Sequence, residues 1–105
     1  METHNLKLEE EYFNDVKRGV KKFEIRKEDD KTYSVGDILI LHLWSDAYGY
    51  MKSEYPILYE EVDESESDTI EATIVYKTGY AQKDNYVVLG IDNIVYTNGT
   101  LKEDN

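Results

Sequence analysis

From Leu6 to Tyr96 the chain is built mainly of short segments with the two-residue period of a β-strand, separated by connections mostly too short to carry a crossover helix. Strands joined in this way pair antiparallel, so the pattern excludes a doubly wound parallel sheet and points to a curled sheet or small barrel. Leu6-Lys7-Leu8 alternates first. Lys21 to Lys27 alternates next, with Phe23 and Ile25 on one face and Lys22, Glu24 and Arg26 on the other, a strand with a charged face. Ile38 to Trp44 is apolar on both faces and predicts a buried central strand. Ser45 to Lys52 reads as a loop or hairpin. Thr69 to Lys77 places Ile70, Ala72, Ile74 and Tyr76 on one side, Tyr86 to Ile91 is a second two-sided apolar strand, and Ile94-Val95-Tyr96 adds a short edge strand.

One interruption has a different period. Glu9-Glu10-Glu11 places negative charge where a helix N-terminus favours it, Tyr12, Phe13, Val16 and Val20 follow on one face, and Gly19 stands at the C-cap, predicting a helix over about 9–18. Its aromatic face is read as core. Ser34-Val35-Gly36-Asp37 and Asn98-Gly99-Thr100 are turn signals, and Lys102 to Asn105 reads as a frayed tail. The expected fold is α+β: a small β-barrel of five to six mostly antiparallel strands with one or two helices, in a single domain over residues 1–105.

At 40% apolar residues the chain can form a core, and without cysteine it has no disulfide, thiolate metal site or thiol nucleophile. No apolar run approaches the ~20 residues that span a bilayer, and no signal core follows Met1, so a cytoplasmic monomer without membrane contact is expected. The net charge of −11 opposes non-specific adhesion to polyanions. It is unevenly spread. Lys17, Arg18, Lys21, Lys22, Arg26 and Lys27 against Glu24 give a local +5, which leaves −16 on the rest. The acidic counterpart, about 59–68, reads as a solvated, mobile loop insert that lacks the ligand spacing of a calcium loop. His4 and His42 are far apart in the chain and are expected to make structural hydrogen bonds; neither a metal nor a cofactor is expected.

Gly19-Val20-Lys21-Lys22-Phe23-Glu24-Ile25-Arg26 reads G-x-K-x-x-E-x-R at a helix-to-strand junction, and here the sequence resembles the ASCH domains of the PUA-like superfamily. Leu6-Lys7-Leu8 with Glu11-Tyr12-Phe13, Val35-Gly36-Asp37-Ile38-Leu39 and Tyr86-Val87-Val88-Leu89 are similar to segments of its small bacterial and phage subgroup. The resemblance covers nearly the whole chain apart from the acidic insert and the tail after about 97. It implies a PUA-like barrel whose cleft, lined by the motif, binds RNA or a nucleotide-like ligand. On that reading Lys21, Lys22 and Arg26 contact phosphate or a base edge. Glu24 orients Arg26 or accepts from a nucleobase amine, and Trp44 stacks on a base.

Two other functional classes are consistent with the residues. Some ASCH proteins are amidohydrolases that deacetylate acetylcytidine through a Lys, a Thr and an Arg at this spacing and a later Glu. Lys21 and Arg26 match that pattern, Glu24 stands where the Thr belongs, and the short segment between Lys77 and Tyr86 offers only Asp84 for the later acid. Lys21 and Glu24 would be the catalytic pair, with Glu24 as a general base toward water. The acidic surface, in contrast, suits a protein-interaction module that steers basic partners.

Overall fold

The computed structural model describes residues 1–54 and 58–102. Seven strands form: β1 Thr3–Glu9, β2 Phe23–Lys27, β3 Ile38–Ser45, β4 Gly49–Glu54, β5 Leu58–Glu61, β6 Thr69–Thr78 and β7 Tyr86–Thr97. Two α-helices join them, α1 Glu10–Lys17 and α2 Gly99–Lys102, with a single 3-10 turn at Glu64–Glu66. The order is β2-β7-β6-β3-β4-β5, every pair antiparallel, and β1 is added to β3 in parallel.

β3 is the axis of the fold, as its two-sided apolar sequence predicts. Along one edge Thr3 to Glu9 pairs with Ile38 to Trp44; along the other, Ile38 to His42 pairs with β6. Leu39, Leu41 and Leu43 are fully buried, each contributing about 1.5–3 kcal/mol of apolar transfer. They meet Leu6 and Leu8 of β1, Ile70, Ala72 and Ile74 of β6, and Val87, Leu89 and Ile91 of β7. α1 closes the core with Phe13 and Val16. Tyr12 and Val20, expected on the same face, are exposed. The helix is only two turns long, and Val20 lies beyond its end.

The sequence reading is corrected at four points. Among the described residues there are seven strands, not five or six: the segment read as a loop or hairpin supplies β4 and the acidic insert supplies β5, while β7 runs unbroken through the segment read as a separate edge strand. The stretch 59–68 is solvent-facing over 59–66, as expected, but it is not an irregular loop: it holds a strand and a 3-10 turn, and its last residues, Ser67 and Asp68, are buried. Asn98-Gly99-Thr100 is not a bare turn. It opens α2, where the Asn98 Oδ1 accepts from the Thr100 amide at 2.8 Å. Tyr76 points outward despite its alternation with Ile74, because a register irregularity between them shifts the pleat. Glu103 to Asn105 of the expected frayed tail lie outside the described residues.

The sheet curls into a half-barrel in which the free edge of β1, paired only to β3, and the terminal strand β2 approach without pairing. One bond spans the seam, from the Arg26 Nη2 to the Lys7 carbonyl at 3.0 Å. Among the described residues no helix is long and apolar enough to cross a membrane.

Candidate functional site

The seam is where the motif lies. Each motif residue is placed by local structure. At the end of α1 the Arg18 amide donates to the Asn14 carbonyl and Gly19 turns into the left-handed region at φ +77°. The Val20 and Lys21 amides then both donate to the Asp15 carbonyl, at 3.0 and 3.1 Å. This folded-back C-cap brings Lys21 round to the start of β2. β2 is set against β7 in the register Phe23–Gly90, Glu24–Leu89, Ile25–Val88 and Arg26–Val87.

That register decides which face of β2 is inside. Directly opposed residues share a face, and Leu89 and Val87 belong to the core, so Glu24 and Arg26 turn inward with them. Glu24 is 2% exposed, whereas Phe23 and Ile25 are 42% and 49% exposed. The charged face of this strand is therefore the inner one.

A carboxylate buried this deeply must be compensated. One Glu24 oxygen, Oε2, is held by the Lys21 ammonium and the other, Oε1, by the Arg26 Nη2 at 2.9 Å. The two cations remain partly open to solvent, at 18% and 22%. The Arg26 guanidinium thus joins the floor of the site to the β1 backbone, and its Nε is buried without a hydrogen-bond partner. Above the trio is a cleft of about 490 Å³ lined by β1 (Lys7, Leu8, Glu9), the first turn of α1 (Tyr12), Lys21 and β2. The Lys21 ammonium lies 5.1 Å from the Tyr12 ring centre and 5.3 Å from that of Phe23. The arrangement offers charged donors and an acidic acceptor on the floor, with aromatic faces on the walls.

Of the residues picked out in the sequence, Lys21, Glu24 and Arg26 converge here. Lys22 does not; its side chain is exposed outside the lining, and its carbonyl accepts the Ile91 amide at 3.0 Å. Trp44 also stands outside, on β3 opposite Glu9, with the Lys7 ammonium 4.9 Å from its ring centre. Asp84 is exposed and contributes nothing to the lining. Tyr12 and Phe23 supply the aromatic walls instead. For Phe23 the sequence signal was the alternation itself, which sets it on the face away from Glu24; Tyr12 lies on α1, where that alternation says nothing.

The two histidines are structural. The His4 Nε2 meets the Asp37 Oδ2 at 2.9 Å, and the same carboxylate accepts the Glu2 and Ser34 amides, each at 3.0 Å. Hydrogen bonds from His4 and these amides lower the Asp37 pKa to about 2. Glu2, His4 and Asp37 are the one grouping among the described residues with metal-ligand types in close approach. Asp37 spends its oxygens on tying the start of β1 to the turn before β3. His42 bridges the Ser67 hydroxyl and the Asn5 side chain, each at 2.8 Å.

Among curated proteins none matches this chain. The family model described as Domain of unknown function (DUF3850) matches residues 3–91, a span from β1 into β7 that includes every residue of the seam cleft, and the chain belongs to that family.

Proposed function

We propose that this is an ASCH-like domain of the PUA-like group and that its seam cleft recognises single-stranded RNA or a nucleotide-like ligand. The observation that carries the reading is a fully buried Glu24, held between Lys21 and Arg26 at the floor of an open cleft. Burying a carboxylate and two flanking cations at a water-accessible seam is costly where an apolar residue would pack equally well. The cost is understandable if the trio contacts a ligand: the cations donate to phosphate or base-edge oxygens, Glu24 accepts from an exocyclic amine, and Tyr12 and Phe23 offer stacking faces. Lys7 is the one further cation in the lining, so few phosphates are neutralised, and affinity for long RNA is modest with a shallow salt dependence.

A second reading has one specific observation in its favour, the direct pairing of Lys21 with Glu24, the two residues an amidohydrolase would use, with Glu24 as general base toward water. No second acid from 77–86 lines the cleft.

Amide NMR titration of the full chain at low salt, with a short single-stranded RNA and separately with cytidine and acetylcytidine, tests both. The binding reading expects shifts clustered over Lys21 to Arg26 that vanish in a Lys21→Glu, Arg26→Glu variant. No shifts with any of the three would overturn it. A deacetylated product from acetylcytidine would establish the hydrolytic reading in its place.

A further inference from the structure

A second cavity, of about 500 Å³, lies on the other side of the first turn of α1 and shares no lining residue with the seam cleft. It is lined by Glu10 of α1, Ser45 and Tyr48 of the β3–β4 hairpin, Met51 of β4, and Tyr59 and Glu61 of β5. The β4–β5 register explains how these residues meet: Met51 opposes Glu61 and Ser53 opposes Tyr59, so Met51, Tyr59 and Glu61 share one face of the ribbon. Lys52 and Glu60 take the other, with their charged ends 3.7 Å apart. The cavity therefore has a thioether floor, two tyrosine walls and a carboxylate on either side.

Glu10 and Glu61, each from an acidic run and some fifty residues apart in sequence, converge on this spot. Among the described residues no Lys or Arg is in the lining. The Tyr59 hydroxyl bonds to Glu10 and Asn14, which fixes the ring between ribbon and helix, and burial raises its pKa above the ordinary tyrosine value. Tyr48 is exposed at the hairpin tip, where its ring is free to cover an occupant. Aromatic faces with flanking carboxylates attract an organic cation through the ring quadrupole and through charge, and they offer nothing to an anion.

We propose that this cavity is a binding site for a lysine or arginine side chain presented by a basic protein partner. It gives the acidic body of the chain a defined point of attachment, independent of whatever occupies the seam cleft. Charge complementarity selects the partner: among the described residues the lining carries two carboxylates and no cation, on a chain of net charge −11.

The chain has two methionines, one in the cavity at Met51 and one exposed at Met1, so methyl-labelled methionine gives a reporter and a reference in one sample. The full chain is titrated with acetylated hexalysine amide at physiological ionic strength. Met51 is expected to shift saturably while Met1 stays in place. Tyr48→Ala, which leaves the charge unchanged, is expected to weaken binding about two- to fivefold, the size of one exposed cation–π contact. Glu61→Gln should weaken it at least as much, and Glu71→Gln, an exposed acid on β6, should leave it unaltered. A Met51 signal that stays still at millimolar peptide overturns the proposal. So does equal weakening by Glu71→Gln, Glu61→Gln and Tyr48→Ala, which would mean diffuse attraction to the acidic body.

Discussion

Glu24 and Asp68 are both carboxylates buried to 2% exposure or less, and they are compensated in opposite ways. Asp68 sits between β4, β7 and the start of α2. Its Oδ2 accepts the Ser53 amide at 3.2 Å, the Ser53 hydroxyl at 2.7 Å and the Tyr96 hydroxyl at 2.9 Å, and its Oδ1 accepts the Gly99 amide at 2.6 Å. These donors are all neutral, and the enclosure is closed on all sides. Gly99 completes it: a Cβ there would stand 2.0 Å from the Glu66 carbonyl oxygen. Glu24 has two partners, both cations on long side chains, and a cleft above it. Neutral donors fixed by backbone and short side chains hold a charge permanently. Long cationic side chains at an open surface hold one while remaining able to exchange partners.

The difference can be broken most directly at Asp68. Asp68→Ala would leave the Gly99 amide and the Tyr96 and Ser53 donors buried without acceptors, at about 1–3 kcal/mol for each group that cannot reach water. A loss of about 3 kcal/mol or more in urea unfolding is expected, with α2 released from β4. A loss under about 1 kcal/mol would mean that the enclosure is not what fastens the C-terminal segment.

Glu24→Gln is the matching change at the seam. Removing one member of a closed buried pair typically costs about 3–5 kcal/mol, but Lys21 and Arg26 are both partly exposed and regain water. A loss of about 1 kcal/mol is expected by the same unfolding assay. Should Glu24→Gln cost as much as Asp68→Ala, the contrast between a sealed and an exchangeable carboxylate would not hold.

Asp37 extends the contrast to acid. Its pKa lies below the ordinary 3.8, at about 2, so folding releases its proton more readily and its contribution is fully present above the unfolded value. That contribution is lost as pH falls from about 4 through about 2. Following the urea midpoint down this range, Asp37→Asn is expected to flatten the acid limb relative to the parent chain. An unchanged acid limb would show that His4 and the two amides do not favour the ionised form.

The comparison also explains what could and could not be read from sequence. The α1 boundary and its Gly19 cap are local, and so is the apolar axis Ile38 to Trp44; both were legible. Alternation in Lys21 to Lys27 correctly placed Glu24 and Arg26 on a common face. It carries no information on which face is inward, because that depends on the register with β7, and Leu89 lies sixty-five residues away. Asp68 was hidden for the same reason. It ends an acidic run that reads as solvated, and the donors that permit its burial, Ser53, Tyr96 and Gly99, come from three separate segments. β5 was missed because its four residues include two glutamates and form a ribbon with one neighbour, β4, so no apolar period marks it.

The unpaired seam between β1 and β2 has a consequence for how copies of this chain meet one another. A half-barrel that stops short of closure leaves two strand edges at its seam, each a template on which another chain could add a strand and begin to aggregate. Here the edges face each other across a gap bridged by Arg26, with Lys7, Lys21 and Glu24 set into it. A strand arriving from a second molecule would have to displace the Arg26–Lys7 bond and desolvate the Lys7, Lys21 and Arg26 side chains before it gained a ladder. The same charges that furnish a cleft therefore keep the sheet from growing at the seam.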